Sequence, residues 1–233
     1  MKPSSELQIA LETGAVPALV YPADPGPASR PVAASLILAH GAGAGQRHAF
    51  IVAFARGIAA LGVDVITFDF PYITQKRRIP DRGPALEACY RAVVGTVRLE
   101  IDSARRFLLI GGKSMGGRIA TQVAAADRDL PVAGLVLLGY PLHPPGRPTV
   151  LRAAHLAAVR RPMLFVQGGR DGFGTPAELT PILAGLSPSP TLHVVDGGDH
   201  SLKVSGRDPR VQAAVYDDAQ RTIVRWIHSV IER

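Results

Sequence analysis

Short apolar runs alternate along the chain with segments in which apolar residues recur at helical spacing. This alternation is typical of a largely parallel sheet that is covered by helices on both faces. The predicted strands are Leu7–Glu12, Val16–Tyr21, Ser35–Ala39, Val63–Phe68, Phe107–Ile110, Val132–Leu138, Met163–Gln167 and Leu192–Val195. The predicted helices are Phe50–Leu61, one within Pro84–Asp102, Met115–Ala126, Leu151–Val159, Pro176–Leu186 and Asp217–Ile231. The fold class is therefore α/β.

The composition is that of a globular protein, with 233 residues of which 47% are hydrophobic and 19% charged. No shift in composition divides the chain, and the Pro-rich stretch Pro22–Pro31 is interpreted as a connection, so we expect one domain over residues 1–233. No apolar run is long enough to cross a bilayer, and the first residues lack the apolar core of a secretory signal. The single cysteine, Cys89, cannot form an internal disulfide, and together these features predict a cytoplasmic protein.

The formal net charge is +7 and is dominated by arginine. Such a charge can mark a nucleic-acid-binding protein. The arginines are spread along the chain, however, and no recognition helix or RNA-binding aromatic motif accompanies them. A general bias towards Ala, Arg, Gly and Pro explains the same numbers, so neither a nucleic-acid nor a membrane partner is expected.

The segment Gly112-Lys113-Ser114-Met115-Gly116 lies between a predicted strand and a predicted helix. It has the Gly-x-Ser-x-Gly form of a nucleophile elbow, in which a sharp turn exposes a serine hydroxyl. The glycines allow strained dihedral angles and a close approach of helix and strand. Ser114 is therefore the candidate nucleophile, near a helix N-terminus that favours negative charge. An ordinary turn that contains a serine is the simpler alternative.

Two phosphate-binding motifs compete with this interpretation. Gly-Lys-Ser also ends a phosphate-binding loop, but the first glycine of that motif would fall on Phe107. The Gly-rich segment His40–Gly45 lies between a strand and a helix, with Asp69 after the next strand, as in a dinucleotide site. Its third glycine position is Gln46, and Asp69 lies further along the chain than the usual ~20 residues. Because both motifs are incomplete, no cofactor is expected. No metal is expected either.

A serine nucleophile needs a base within hydrogen-bond reach and a group that orients the base. After such an elbow, the expected chain order is serine, then acid, then histidine. Asp171 follows the strand Met163–Gln167, and His200 follows the strand Leu192–Val195. Because the carboxyl ends of parallel strands meet at one edge, these loops converge. Asp171 is the candidate orienting carboxylate, and His200 is the candidate general base.

Other histidines and acids occupy less suitable positions. The other histidines considered are His193 in a predicted strand, His155 and His228 on predicted helices, and His143 in a Pro-rich loop, which ranks second as base. Asp199 directly precedes His200 and is expected to cap the turn, because adjacent side chains rarely reach each other. Asp69, at the end of a strand, is the stronger rival acid, but it lies outside the interval between nucleophile and base.

Acyl transfer also requires fixed donors for the oxyanion of a tetrahedral intermediate. One candidate is the backbone N–H of Met115, the residue after the nucleophile, and the second should come from the loop after an earlier strand. The segment His40–Gly45 follows the strand Ser35–Ala39, and its small residues let a substrate approach the backbone closely. The second candidate donor is the N–H of Ala42.

The motifs HGAGAG, GGKSMGGR, GGRDG and GGDHS, in this order and spacing, resemble the α/β-hydrolase superfamily from about Ser35 to the final helix. They are similar to a lidless branch of predicted hydrolases related to the dienelactone hydrolases. The resemblance implies an eight-stranded, mostly parallel sheet and acyl-transfer chemistry at Ser114. Dienelactone hydrolases use a cysteine nucleophile, whereas this chain has serine, so their lactone substrate is not carried over.

Two features bear on the substrate. Only Gly139–Arg161 separates consecutive strands where many members of the superfamily insert a lid, so we expect an open site and small or exposed acyl groups. The basic segment Lys76-Arg77-Arg78, with Arg82, follows the strand Val63–Phe68 at the catalytic edge. Its simpler interpretation is a solvated charged loop, and the functional alternative is attraction of a carboxylate-bearing substrate or an acidic partner surface.

The sequence thus predicts a metal-free serine hydrolase that cleaves a small ester or a related acyl bond of a small-molecule substrate. The alternative is a non-catalytic interaction module, because fold does not establish function. Relatives of this branch include a subunit of a chromatin-modifying assembly. Every catalytic position nevertheless carries a competent residue, which favours the enzyme.

Overall fold

All the strands join one sheet in a computed structural model that describes residues 5–24, 32–206 and 208–232. They are β1 Ser5–Leu11, β2 Gly14–Tyr21, β3 Ser35–Ala39, β4 Asp64–Phe68, β5 Leu108–Lys113, β6 Gly134–Leu138, β7 Met163–Gly168 and β8 Thr191–Val195. The sheet has 8 strands in the order β1-β2-β4-β3-β5-β6-β7-β8. β2 runs antiparallel to both of its neighbours, and the other pairs are parallel. The predicted mostly parallel α/β sheet is confirmed.

Helices cover both faces of this sheet. They are α1 Ala49–Ala60, α2 Pro71–Thr74, α3 Gly83–Glu100, α4 Asp102–Arg106, α5 Met115–Ala126, α6 Pro176–Leu183 and α7 Pro209–Ile231. Successive residues of β3 point to opposite faces, so Leu36 packs with α1 and α7, whereas Ile37 packs with α3 and α5. Because both faces of β3 are buried, the strand is a continuous apolar run. Within the described ranges, no helix is long and apolar enough to span a membrane.

The chain order of the strands creates a crevice beside β3. This strand lies between β4 and β5, and its connection to β4 carries α1 on one face of the sheet. The connection from β4 to β5 carries α3 on the opposite face. A crevice opens at the carboxyl ends of the strands where the connections diverge in this way. The loop after β3 and the turn after β5 therefore border the same space.

Two predicted boundaries change for identifiable reasons, and one predicted helix is of another type. The strand predicted at Phe107–Ile110 continues to Lys113, because Gly111 and Gly112 pair with both neighbouring strands. A Cβ on Gly111 would lie 1.8 Å from the carbonyl oxygen of Val136, so this glycine belongs to the sheet and does not end it. The final helix begins at Pro209, not Asp217, because the Asp208 carboxylate caps it by accepting from the Arg210 N–H. The helix predicted at Leu151–Val159 is a 3₁₀ helix over Ala154–Ala158.

Smaller differences affect the helices near the site. The short helix α2 was not predicted, and the helix predicted within Pro84–Asp102 spans Gly83–Glu100 and is followed by α4. α6 ends at Leu183, before the predicted end at Leu186. Most of the predicted connection Pro22–Pro31 lies outside the described residues.

Candidate active site

Ser114 occupies a strained turn between β5 and α5. Its backbone angles are φ 51° and ψ −115°, a conformation that non-glycine residues rarely adopt. Its N–H donates to the Leu138 carbonyl at 3.0 Å, and its carbonyl accepts from the Arg118 N–H at 3.0 Å. A Cβ on Gly116 would lie 2.6 Å from the His40 carbonyl oxygen, so only glycine lets α5 start this close to the neighbouring loop. The turn therefore holds the hydroxyl at the carboxyl edge of the sheet.

Ser114, His200 and Asp171 form one hydrogen-bonded series. The Oγ of Ser114 lies 2.8 Å from Nε2 of His200, and Nδ1 of His200 lies 2.9 and 2.8 Å from Oδ1 and Oδ2 of Asp171. Asp171 is fully buried, whereas the side chain of His200 is 22% exposed. A carboxylate can only accept, so Nδ1 carries the proton and Nε2 is left to accept from the serine hydroxyl. The structure brings these three predicted residues together.

The carboxylate of Asp171 is held from two further sides. Its Oδ1 accepts from the backbone N–H of Phe173 at 2.8 Å, and its Oδ2 accepts from Nε2 of the buried Gln167 at 2.8 Å. These donors fix the orientation of the carboxylate. The ring of Phe173 also stacks on the imidazole of His200, with centroids 4.1 Å apart and an interplanar angle of 28°. The loop that carries Asp171 therefore orients both the carboxylate and the imidazole of His200.

The loop that carries His200 is tied to the acid loop by its backbone. The N–H of Gly169 donates to Val195 at 2.9 Å, and the N–H of Arg170 donates to Gly198 at 2.8 Å. Asp199 Oδ1 accepts from the N–H groups of Ser201 and Lys203 at 2.7 and 2.9 Å. Asp199 therefore caps the turn, as the sequence predicts, and does not orient the imidazole.

The Gly-rich loop after β3 is anchored next to the nucleophile. The fully buried His40 donates from Nδ1 to the Gly41 carbonyl at 2.8 Å and accepts at Nε2 from the Phe70 N–H at 3.2 Å. Burial lowers the pKa of His40, in agreement with a neutral ring whose Nε2 accepts a hydrogen bond. A Cβ on Gly41 would lie 3.5 Å from Cβ of Ser114, which shows how closely the loop passes the elbow.

Asp69, the rival acid, supports this same loop. Its Oδ1 accepts from the Gln46 N–H at 2.7 Å, and its Oδ2 accepts from Gln46 Nε2 at 3.2 Å. Gln46 occupies the position at which a dinucleotide fingerprint would have its third glycine. Its side chain also donates to the Pro17 carbonyl at 3.1 Å. Asp69 and Gln46 therefore form a structural bridge between the loop and the sheet.

A cavity of about 490 Å³ opens above the serine. Its lining includes Ser114, Met115, Ala42 and His200. The first helical residue, Met115, has no intrahelical acceptor for its N–H, as at any helix start. The residues that carry the nucleophile, the base and both candidate oxyanion donors therefore line one cavity.

Comparison with known proteins assigns this arrangement to a family. A family model described as an alpha/beta hydrolase domain matches residues 32–228 of the chain. The chain belongs to the α/β-hydrolase family. Membership supports a hydrolase function, and it confirms the superfamily to which the sequence motifs point.

Solved structures share the fold of this α/β-hydrolase over nearly its whole length. A serine hydrolase without a lid from Xanthomonas campestris is 22% identical, with a TM-score of 0.74 over 97% of this chain and 96% of that chain. An alpha-beta serine hydrolase homologue from Coxiella burnetii is 18% identical, with a TM-score of 0.74 over 97% and 98%. A dienelactone hydrolase from Anabaena variabilis is 18% identical, with a TM-score of 0.69 over 95% and 97%. At these identities the likeness concerns the fold.

The other histidines considered as bases have partners elsewhere in this α/β-hydrolase. His143 lies 2.9 Å from the Pro144 carbonyl through Nδ1 and 3.3 Å from Glu178 Oε1 through Nε2. For the others, the partner atoms are Thr121 Oγ1 at 2.8 Å from His155, Asp218 Oδ2 at 3.4 Å from His193, and Glu232 Oε1 at 3.7 Å from His228. Burial, assisted by the charge of Arg118, lowers the pKa of His155 to about 4. His143, the second choice as base, therefore pairs with α6 and not with the nucleophile.

The cavity also contains two arginines that the sequence analysis did not single out. Arg118 and Arg152 line it, together with Lys113, whose Nζ is buried without a hydrogen-bond partner among the described residues. Burial lowers the pKa of Lys113 to about 8, although the nearby Asp171 and Asp199 oppose this shift. One signal for Arg118 was present, because it lies in the first turn of the helix that follows the nucleophile.

The basic segment Lys76-Arg77-Arg78 contributes less than its sequence suggested. Arg77 pairs with the Asp81 carboxylate, which also accepts from the Tyr72 N–H at 3.1 Å. In the described part of the chain, Pro80 and Asp81 line the cavity, whereas residues 76–78 do not. Part of the charge of this segment is therefore neutralised within its own loop.

Proposed function

We propose that this protein is a carboxylesterase-like serine hydrolase that cleaves a small ester or a related acyl bond. The observation that carries the proposal is the uninterrupted hydrogen-bonded series from the Ser114 hydroxyl through His200 to the Asp171 carboxylate. In this proposal, the whole chain of residues 1–233 acts as a single α/β-hydrolase domain.

Acylation begins when His200 Nε2 takes the hydroxyl proton of Ser114. The Oγ then attacks the carbonyl carbon of the substrate, and the carbonyl oxygen becomes an oxyanion. Asp171 stabilises the imidazolium through Nδ1 and keeps the ring in the correct tautomer. When the tetrahedral intermediate collapses, the bond to the leaving group breaks, and His200 returns its proton to that group.

Deacylation repeats these steps with water. His200 Nε2 takes a proton from a water molecule, whose oxygen attacks the acyl carbon on Ser114. The second intermediate collapses, Oγ leaves and recovers the proton from His200, and the carboxylic acid product departs. At the end of the cycle, Ser114, His200 and Asp171 have all recovered their initial protonation states.

The oxyanion in both intermediates is assigned to the backbone N–H groups of Met115 and Ala42. Support comes from the position of Met115 at the start of α5 and of Ala42 in the loop that passes the elbow. The Ala42 loop is fixed by the hydrogen bonds of His40 and by the Gly43 N–H, which donates to the Tyr72 hydroxyl at 3.2 Å. Donors that are fixed before the reaction stabilise the developing charge without a cost of reorganisation.

A small acyl group suits the cavity. Its volume of about 490 Å³ lies in the range of small-molecule sites. Only loops and the 3₁₀ helix Ala154–Ala158 connect β6 to β7, where a lid would be inserted. We therefore expect short-chain esters to be better substrates than long-chain lipids.

A fluorophosphonate probe, combined with short-chain p-nitrophenyl esters, tests the proposal. We expect the probe to label the protein, and the Ser114→Ala variant to lose both labelling and ester turnover. Ser201 lines the same cavity, so the Ser201→Ala variant serves as a matched control and should keep the label. If the folded wild-type protein neither reacts with the probe nor cleaves any ester, the enzyme proposal fails and the interaction module becomes the better reading.

A further inference from the structure

Two guanidinium groups share the cavity with the nucleophile. Arg118 extends from α5, and Arg152 extends from the segment that follows β6. Both therefore border the space in which a substrate of Ser114 must lie. Neither group takes part in the proton transfers described above.

Neither arginine has an acidic partner among the described residues. Arg118 Nη1 donates to the neutral Gln122 side chain at 3.2 Å, and its Nε is buried without a partner in that part of the chain. The nearby carboxylates are engaged elsewhere, since Asp81 pairs with Arg77 and Glu87 pairs with Arg91 at 3.3 Å. Ionised groups that are removed from water are normally paired.

The two charges also repel each other. Burial, followed by the charge of Arg152, lowers the pKa of Arg118. The buried Lys113 adds a third cationic side chain to the same cavity. An anion between the arginines would relieve this repulsion and would supply acceptors for the unused N–H donors.

The position of Arg152 is fixed by its backbone. Its N–H donates to the Leu142 carbonyl at 2.7 Å, and its carbonyl accepts from the Tyr140 hydroxyl at 2.8 Å. Tyr140 in turn follows β6 and is held by Gln167, the residue that supports Asp171. Arg118 is fixed by α5, whose first turn begins at Ser114. A helix and a loop whose backbone is held by hydrogen bonds thus carry the two arginines that line the cavity.

We propose that the substrate carries an oxyanion group, a carboxylate or a phosphate, that binds between Arg118 and Arg152. This inference rests on the proposed hydrolysis for the bond that is cleaved, but it concerns a separate part of the substrate. A guanidinium group can bind either a carboxylate or a phosphate through two parallel N–H donors. Because Ser114, Arg118 and Arg152 line the same cavity, the anion is placed a few bonds from the scissile carbonyl.

Matched ester pairs test the inference through the ratio of kcat/KM values. The p-nitrophenyl monoester of glutaric acid has a free carboxylate, and p-nitrophenyl pentanoate has the same acyl length without it. We expect wild type to prefer the charged ester, and Arg118→Gln and Arg152→Gln each to reduce that preference about 10-fold or more, since charged hydrogen bonds are lost. A fall in kcat/KM for the neutral ester would reveal any general loss of activity in these variants. Arg118→Lys keeps the positive charge but lacks the paired N–H donors of a guanidinium group, so it should retain part of the preference for the charged ester.

Two control variants separate the cavity from general surface charge. Arg225→Gln removes an exposed arginine on α7, outside the residues that line the cavity, and should leave the ratio unchanged. Arg78→Gln removes charge from the basic segment outside the cavity. If Arg78→Gln abolishes the preference and the cavity variants do not, the assignment to Arg118 and Arg152 is overturned.

Calorimetric titration of the Ser114→Ala variant gives a readout that does not need turnover. Glutarate and inorganic phosphate are the two probes, and binding that is lost in the Arg152→Gln background supports the inference and identifies the oxyanion. If wild type reacts with the fluorophosphonate, shows no preference for the charged ester and binds neither probe, the inference is overturned while the proposed function stands. If glutarate or phosphate binds in a way that depends on Arg152, but the fluorophosphonate does not label the wild-type protein, the anion site stands and the hydrolase proposal fails.

Discussion

The side-chain amide of Gln167 donates a hydrogen bond of 2.8 Å to Oδ2 of Asp171. The same nitrogen donates to the Gly174 carbonyl at 2.7 Å, and Oε1 accepts from the Tyr140 N–H at 2.8 Å. One buried amide thus connects the segment after β6, the end of β7 and the loop of the acid. The orientation of the carboxylate depends on a residue that carries no charge.

Gln167→Leu should impair both activity and stability. The change leaves the Tyr140 N–H without its acceptor in the interior and removes a donor from Asp171. We expect kcat for a short-chain ester to fall about 10-fold and the free energy of unfolding to fall by about 1–3 kcal/mol, the cost of unsatisfied buried groups. Steady-state kinetics and urea denaturation measure the two effects. Wild-type values in both experiments would show that Gln167 does not position the acid.

His40→Leu should separate catalysis from binding. The substitution removes both hydrogen bonds of His40, which help to hold the loop of Ala42, so the donor for the oxyanion moves, while the residues that line the cavity stay the same. Losing one such donor typically costs ~10²–10³ in kcat, and KM should change little. His40→Gln retains a donor and an acceptor and should recover part of the rate. Equal kcat values for the Leu variant and wild type would remove the oxyanion role of this loop.

Lys113→Met should stabilise the protein at neutral pH. The folded-state pKa of about 8 lies below the ordinary value, so the charged form is disfavoured in the folded protein. Below pH 8 both states are protonated and the full cost is present, on the order of 3 kcal/mol. Between about pH 8 and pH 10.4 the unfolded chain alone holds the proton, so wild-type stability rises with pH.

Denaturation of wild type and Lys113→Met at pH 7 and pH 10 checks this sign. The variant should be more stable at pH 7, and its advantage should shrink as the pH approaches 10. The exposed Lys203 provides the control, since Lys203→Met should change stability little at either pH. An advantage of Lys113→Met that grows with pH would contradict the assigned direction.

Gly116→Ala and Gly95→Ala form a matched pair of helix substitutions. A Cβ on Gly116 would meet the His40 carbonyl at 2.6 Å, whereas a Cβ on Gly95 in α3 would have no heavy atom within 4 Å. Alanine is favoured over glycine inside a helix by about 0.5–1 kcal/mol, so Gly95→Ala should be neutral or stabilising. Gly116→Ala should lower both the melting temperature and the rate of probe labelling. Similar behaviour of the two variants would show that the elbow does not require the close approach.

The sequence predicted the features that depend on local pattern. Apolar periodicity indicated the sheet, the Gly-x-Ser-x-Gly spacing indicated the turn at Ser114, and the ends of strands indicated Asp171 and His200. These residues meet because parallel strands bring their carboxyl ends to one edge. Element boundaries were less predictable, because glycines such as Gly111, which pattern suggests should end a strand, are required inside it by close packing.

The supporting network could not be predicted from the sequence. The hydrogen bonds of Gln167, His40 and Asp69 join segments that are distant in the chain, and their residue types are compatible with many other roles. The pairing of Arg77 with Asp81 also depends on the conformation of one loop. As a result, sequence reasoning singled out an exposed basic segment and passed over Arg118 and Arg152, whose importance comes from facing the cavity.

Mass spectrometry of the acyl-enzyme tests the central claim most directly. The protein is mixed with p-nitrophenyl acetate, the reaction is quenched in acid within the first turnover, and tryptic peptides are mapped. We expect one acetyl group on Ser114, within the peptide of residues 114–118, and none in the Ser114→Ala variant. Continued ester turnover with no acetyl group on that peptide, or with the group on another residue, would contradict nucleophilic catalysis by Ser114.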